Sequence, residues 1–239
     1  MLAIDTGAKQ EGDGMILVIG NIKGGVGKTT LAINLAIARQ LAGRDVLLID
    51  GDEQRTAMTF TDLRTEETGQ AGYTAVSLQG AELRTQVRQL ATKYDDIIID
   101  CGGRDTGSLR AALTVADTLL VPVQPRSFDL WAVEQLAELV KEARAVNDFR
   151  AVMILNGADS TGRDNEEAAE VLRETTEIEL LPTTIGRRKA FPNAAAHGRS
   201  VLEQSPKDTK AIEELTAVLA AVFPETTTKK IAEVANGRR

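Results

Sequence analysis

The sequence predicts an α/β protein: a doubly wound, mostly parallel sheet with helices on both faces. Three observations carry that prediction. Short apolar runs alternate with amphipathic stretches over short connections, without an internal repeat. Apolar residues make up 43% of the 239 and aromatic residues only 3%. The core must then be built from Val, Ile, Leu and Ala, which suits helices packed on a buried parallel sheet. A glycine-rich turn also lies between the first apolar run and the first helical stretch.

Residues 1–14 read as a flexible leader, with Gly7, Gly12 and Gly14 and little apolar content. Met15–Gly20 is the first strand and its closing turn. Thr29–Ala42 has helical spacing, with Leu31, Leu35, Ala38 and Leu41 on one face and Gly43 as the closing residue. Val46–Asp50 is a second strand and Thr74–Leu78 a weaker one. Glu82–Thr92 reads as helix, Asp96–Asp100 as a buried strand, Leu109–Ala116 as helix and Thr118–Val123 as strand. Leu130–Val146 is a long amphipathic helix. Ala151–Leu155 is a strand, Glu166–Glu174 a helix, and Ile178–Leu181 with Thr184–Ile185 the last strand. Ser205-Pro206-Lys207-Asp208 has the pattern of an N-cap, a proline at the first helical position and an acidic first turn. The helix after it carries Ile212, Leu215, Leu219 and Val222 on one side. Residues 15–223 thus form a single expected domain, and 224–239 a flexible tail.

Several classes are excluded. A single cysteine, Cys101, makes neither an internal disulfide nor a four-thiolate metal site. No apolar run approaches the ~20 residues of a membrane-spanning helix. The N-terminus, with Asp5, Glu11 and Asp13, lacks the pattern of a signal peptide. A cytoplasmic protein is expected. The net charge of −7 speaks against a strongly nucleic-acid-coated protein but is silent on a local basic patch.

The turn after the first strand reads Lys23-Gly24-Gly25-Val26-Gly27-Lys28-Thr29-Thr30. Its glycines let successive backbone N–H groups approach phosphate oxygens. The helix opening at Thr29 points the positive end of its dipole at the anion. Lys28 would neutralise the outer phosphates, and the Thr29 hydroxyl would ligate Mg²⁺. Lys23 is an additional cation. In a face-to-face dimer it could reach the partner's nucleotide and stabilise charge on a transferred phosphoryl group; the alternative is a solvated lysine on a turn.

Asp50 and Asp52 end the second strand, where ligands of open α/β sheets bind. Alternate strand residues share a face, so both carboxylates could meet the phosphates, one at the metal and one orienting the attacking water. A solvated turn is the alternative. Asp100, after several buried apolar residues, reads as a metal-shell carboxylate. Cys101 reads as a packing residue, and the lone His197 as a surface or structural one.

The Lys23–Thr30 segment resembles the deviant Walker A motif of the ParA/MinD family of P-loop ATPases, with Lys23 at the signature lysine. Leu47–Gln54 (LLIDGDEQ) is similar to the family's LLIDxDPQ segment, with Glu53 in place of the proline. The resemblance continues at Asp96–Asp100 and Val121–Pro125 and spans about Met15 to Phe223. It implies a P-loop NTPase fold, ATP and Mg²⁺ as cofactors, ATP hydrolysis, and a homodimer formed on ATP. It makes Asp52 the hydrolytic residue and puts Asp50 and Asp100 near the metal. It implies an adenine contact for Asn156, for which a turn-capping role before Gly157 is the alternative. The segment Gly102–Thr106 departs from the family's Pro-Pro version and reads as a γ-phosphate-sensing switch loop.

Thr184–Lys210 holds Arg187, Arg188, Lys189, Arg199, Lys207 and Lys210 against Glu203 and Asp208, a local +4 in a chain of net −7. Localised Lys and Arg are what sequence-independent DNA binding needs; a solvated charged face is the alternative. By resemblance, ParA-type proteins bind non-specific double-stranded DNA through this region, and a ParB-like or other adaptor stimulates hydrolysis. The expected function is therefore positioning or segregation of a cargo: a plasmid, a chromosome region or a protein body such as a carboxysome. Association with the nucleoid would follow ATP binding. The family's further basic position falls near Glu213-Glu214, and Lys207 and Lys210 could substitute. The rivals are a MinD-like membrane-cycling regulator and a metabolic P-loop synthetase. Stable membrane binding is not expected, because Ile231 and Val234 are the only large apolar residues of the tail.

Overall fold

The computed structural model describes residues 14–103, 106–125, 130–161 and 163–223. The leader, Gly14 apart, and the tail lie outside the described residues. The strands are β1 (Met15–Ile19), β2 (Val46–Gly51), β3 (Thr74–Ser77), β4 (Asp96–Cys101), β5 (Thr118–Val123), β6 (Arg150–Ala158) and β7 (Glu179–Gly186). The helices are α1 (Lys28–Leu41), α2 (Thr56–Thr68), α3 (Gly80–Leu90), α4 (Thr106–Leu113), α5 (Leu130–Arg144), α6 (Asp164–Leu172), α7 (Ala190–Ala195) and α8 (Thr209–Val222). The strands form one sheet in the order β3-β2-β4-β1-β5-β6-β7, and every neighbouring pair is parallel.

Side chains alternate across the sheet, so each strand feeds two cores. Leu17 and Ile19 of β1 join the layer beneath α1, α2, α7 and α8. Val18 between them joins the layer beneath α3, α4, α5 and α6. Strands buried on both faces read as unbroken apolar runs, which is why β1, β2, β4 and β5 are plain in the sequence. The edge strand β7 carries Pro182, where a missing N–H is tolerated.

Four local expectations need correction. The helix α2 was not expected: Thr56–Thr68 is polar and buries only Ala57, Phe60, Thr61 and Arg64, so it shows no continuous apolar stripe. The helix α7, six residues long, is too short to show a helical period in the sequence. The cap of α8 is Asp208, whose carboxylate accepts a 3.0 Å bond from the Ala211 N–H; Ser205 and Pro206 lie before the helix. The last strand is one continuous β7, with register shifts against β6 between Met153 and Leu155 and between Asn156 and Ala158. Among the described residues, no helix is long and apolar enough to cross a membrane.

Candidate nucleotide-binding site

The sheet order reverses at β1. From there the chain runs through α1 to β2 on one side, while β5, β6 and β7 extend on the other. A crevice at the carboxyl ends of the strands is the expected ligand site at such a point. It holds a cavity of about 970 Å³. The cavity is lined by Gly24, Gly25, Gly27, Lys28, Thr29 and Thr30 of the phosphate loop and α1, by Asp52, Glu53, Gln54 and Thr56, and by Gly103.

Three carboxamides shape the phosphate loop. Asn21, 5% exposed, donates from Nδ2 to the Pro122 carbonyl at 2.9 Å and accepts from the Lys23 N–H at 2.9 Å. Gln124, just past β5, donates to the Gly25 carbonyl at 2.9 Å. Asn156 on β6 donates to the Val26 carbonyl at 2.6 Å. Resemblance implies an adenine contact for Asn156; in this structure its amide nitrogen braces the loop. Asn21 and Gln124 were not singled out in the sequence, although Gln124 stands in the Val121–Pro125 segment that carries part of the resemblance. The Lys28 ammonium is bonded to the Lys23 carbonyl at 2.8 Å, and burial lowers its pKa against the opposing pull of Asp100 and Asp52. Lys23 is half-buried on the loop itself.

The acids divide by environment. Asp50 is fully buried, with Oδ1 accepting from the Asp52 N–H at 3.1 Å and Oδ2 from the Met58 N–H at 2.9 Å. It thereby ties the end of β2 to the first turn of α2. Burial raises its pKa, and these backbone bonds oppose the rise. Asp50 thus braces the loop that carries Asp52. Asp52 is half-buried, faces the cavity and accepts from the Gln54 N–H at 3.0 Å.

Asp100 is paired in register with Asp50 of β2 and Ile19 of β1. It is 1% exposed, and neither carboxylate oxygen receives a well-formed hydrogen bond. Loss of hydration pushes its pKa up to about 7; the nearby Thr29 hydroxyl opposes this, Asp50 reinforces it, and Lys28 opposes it. A buried carboxylate left without donors is costly unless a cation completes its surroundings. The residues therefore fit a magnesium ion: a hydroxyl and a carboxylate at the base of a phosphate loop. Mg²⁺ takes most of its shell from water and phosphate, so a dedicated cage of protein ligands is not required.

Gly103 explains the departure of the Gly102–Thr106 segment. A Cβ there would lie 2.9 Å from the Gly24 nitrogen, the Lys23 carbonyl oxygen and the Lys28 Nζ, so only glycine lets this segment close on the loop. Arg104 and Asp105 lie outside the described residues. Cys101 is a fully buried packing residue, and His197 is exposed with Nδ1 3.0 Å from the Asn193 carbonyl.

The basic window follows β7 in the chain. Arg187, Lys189, Arg199, Lys207 and Lys210 are exposed. Arg188 is not part of that open set, since its guanidinium is bonded to both Glu214 carboxylate oxygens, one of which also accepts from the Gly186 N–H at 3.0 Å. Arg187 lies 3.6 Å from Asp159 while remaining 57% exposed, a weak pair.

A parallel sheet that changes direction at a braced phosphate loop, with a lysine, a threonine and a buried aspartate at its base, defines a P-loop nucleotide-binding protein. Residues 17–201 match the CobQ/CobB/MinD/ParA nucleotide-binding domain, and the chain belongs to that family. It is 27% identical over 210 residues to the maintenance of carboxysome distribution protein A of Halothiobacillus neapolitanus, covering 87% of this chain and 96% of that protein. An ATP complex of a Cyanothece McdA variant superposes with a TM-score of 0.65 at 17% identity, covering 95% of this chain and 98% of that one. The septum site-determining protein MinD of Pyrococcus horikoshii, complexed with Mg-ADP, superposes with a TM-score of 0.64 at 18% identity, covering 94% and 98%. The protein is a ParA/MinD-type ATPase by family.

Proposed function

We propose that this protein hydrolyses ATP with Mg²⁺, dimerises on ATP, binds DNA without sequence preference, and so positions a cargo when an adaptor stimulates turnover. One observation carries the catalytic half of this reading. A fully buried carboxylate, Asp100, receives no well-formed hydrogen bond and lies beside Thr29 and Lys28, which line the cavity at the phosphate loop. Bound magnesium would supply positive charge against the phosphate oxygens. Loop N–H groups and Lys28 would hold the triphosphate, with Thr29 and Asp100 as the ion's protein-side partners. Asp52, which also lines the cavity, would orient the attacking water and take its proton. Lys23 would act across the dimer.

The exposed Arg187, Lys189, Arg199, Lys207 and Lys210 support the DNA half. The likeness to a carboxysome-distribution protein supports a protein body as the cargo, with a plasmid or chromosome region as the other choice. The decisive experiment measures ATP affinity and phosphate release together. Asp52→Ala should bind ATP normally and lose about 100-fold or more in turnover, the usual scale for removing a general base. Unchanged turnover would remove Asp52 from that role. Lys28→Ala should fail to bind ATP.

A further inference from the structure

Two helices leave the nucleotide cavity, α1 from the phosphate loop and α2 from the Asp52 loop. The turn that carries Arg199 is attached to both. Arg64, eight residues into α2 and 4% exposed, donates from Nη1 to the Gly198 carbonyl at 2.8 Å. The same guanidinium makes a two-pronged pair with Glu203, both bonds at 2.8 Å, and Nε donates to the Ala71 carbonyl at 2.8 Å. Glu203 in turn accepts from the Ser200 N–H at 3.0 Å. From the other side, Asn34 of α1 is 1% exposed. Its Oδ1 accepts from the Ser200 hydroxyl at 2.8 Å and the Val201 N–H at 3.1 Å, while its Nδ2 donates to the Thr30 carbonyl at 2.7 Å.

Backbone contact completes the attachment. Gly198 has φ +60, and a Cβ there would lie 2.5 Å from the Arg64 Cα. The turn therefore rests directly on the α2 backbone. Arg199, between the two anchored residues Gly198 and Ser200, is exposed.

We infer that Arg64 and Asn34 are positioning residues that set the Arg199 turn according to the state of the nucleotide site. This rests on the DNA reading of the basic window and adds the route by which ATP controls it. Closely packed, fully hydrogen-bonded contacts move as units and not by gradual deformation. The first turn of α2 is tied to Asp50 and, through Arg55 N–H to the Asp52 carbonyl at 3.1 Å, to the hydrolytic loop. A shift of that loop on closing over ATP would carry α2, and with it Arg64, Gly198 and Arg199. Asn34 supplies the fixed reference, because Thr30, whose carbonyl it holds, stays on the phosphate loop's helix.

The test compares wild type with Gly198→Ala, which lifts the turn off α2, and with the milder Arg64→Lys, which keeps the charge but loses the fork. Both substitutions lie outside the nucleotide cavity. Three quantities are read: Mg-ATP affinity, amide hydrogen exchange of residues 197–203 with and without ATP, and the ratio of DNA affinities in ATP and ADP. In wild type, ATP should slow exchange in 197–203. In the folded variants ATP affinity should hold within about threefold, the exchange response should vanish, and the ATP-to-ADP ratio for DNA should fall by about tenfold or more. If wild-type exchange at 197–203 ignores ATP, or both variants keep the full response, the inference is overturned. If the exchange response is present and lost in the variants but no DNA binds in any state, the coupling stands and the DNA reading fails.

Discussion

Asp100 is fully buried at the end of β4, and loss of hydration pushes its carboxyl up to about 7, against an ordinary value of 3.8. An acid whose pKa is raised on folding leaves the folded state fully stable below the ordinary pKa, and stability erodes as pH rises from about 4 to about 7. Above that range the buried charge costs on the order of 4 kcal/mol. Asp100→Asn should therefore melt higher than wild type at pH 8 in the absence of nucleotide, with the gap closing toward pH 4; thermal melts across that range check it. The same variant should bind Mg-ATP poorly. Residue-level roles divided unevenly between sequence and structure. Lys28, Thr29 and Asp52 could be placed on the cavity from spacing alone. The bracing roles of Asn21, Gln124 and Asn156 could not, because a carboxamide's partner depends on which strand tips meet, and those lie about a hundred residues apart.

At the scale of elements, the buried strands were legible and α2 was not. A strand buried on both faces must be apolar throughout, so its composition announces it. A helix that rests on few apolar residues does not. Phe60 and Ala57 are all that α2 offers the core, and the buried Arg64 reads as a surface residue in sequence. Its burial is understandable only with Glu203 and Gly198 in place. The start of α8 shows how a strong local pattern can mislead by a few residues. Ser205-Pro206 fits a helix start, yet the cap is Asp208. Asp208→Ala should cost about 1 kcal/mol of stability, the usual value for a lost N-cap bond, while Ser205→Ala should cost a few tenths at most. Denaturant midpoints of the two variants decide between them.

At the scale of the whole molecule, the question is how an acidic protein would hold DNA. The structure narrows the basic surface by pairing Arg188 with Glu214, and it changes how that surface should be tested. Arg188→Glu would set one carboxylate beside another and disturb β7 and α8 as well as any interface. Arg187→Gln with Lys189→Glu removes positive charge without setting a carboxylate beside Asp159, which lies 3.6 Å from Arg187. That double variant should keep ATP binding and the melting temperature while losing ATP-dependent DNA retention. In wild type the logarithm of affinity should fall linearly with the logarithm of salt, and the slope should flatten for single variants such as Lys189→Ala. DNA retention that ignores both salt and these substitutions would mean a solvated face.

By itself the sequence determined the parallel α/β architecture, the phosphate loop and the acids at its strand ends. Each of these is set by local pattern: an apolar run, a glycine cluster, a carboxylate closing a strand. Only the tertiary structure decided what each polar group is bonded to. It turned Asp50 toward the α2 backbone, left Asp100 without donors, removed Arg188 from the open basic set, and joined the Arg199 turn to α1 and α2. The physical reason is common to all four. A buried polar group is defined by its partners, and partners distant in sequence meet only when the sheet has brought their strands and helices together.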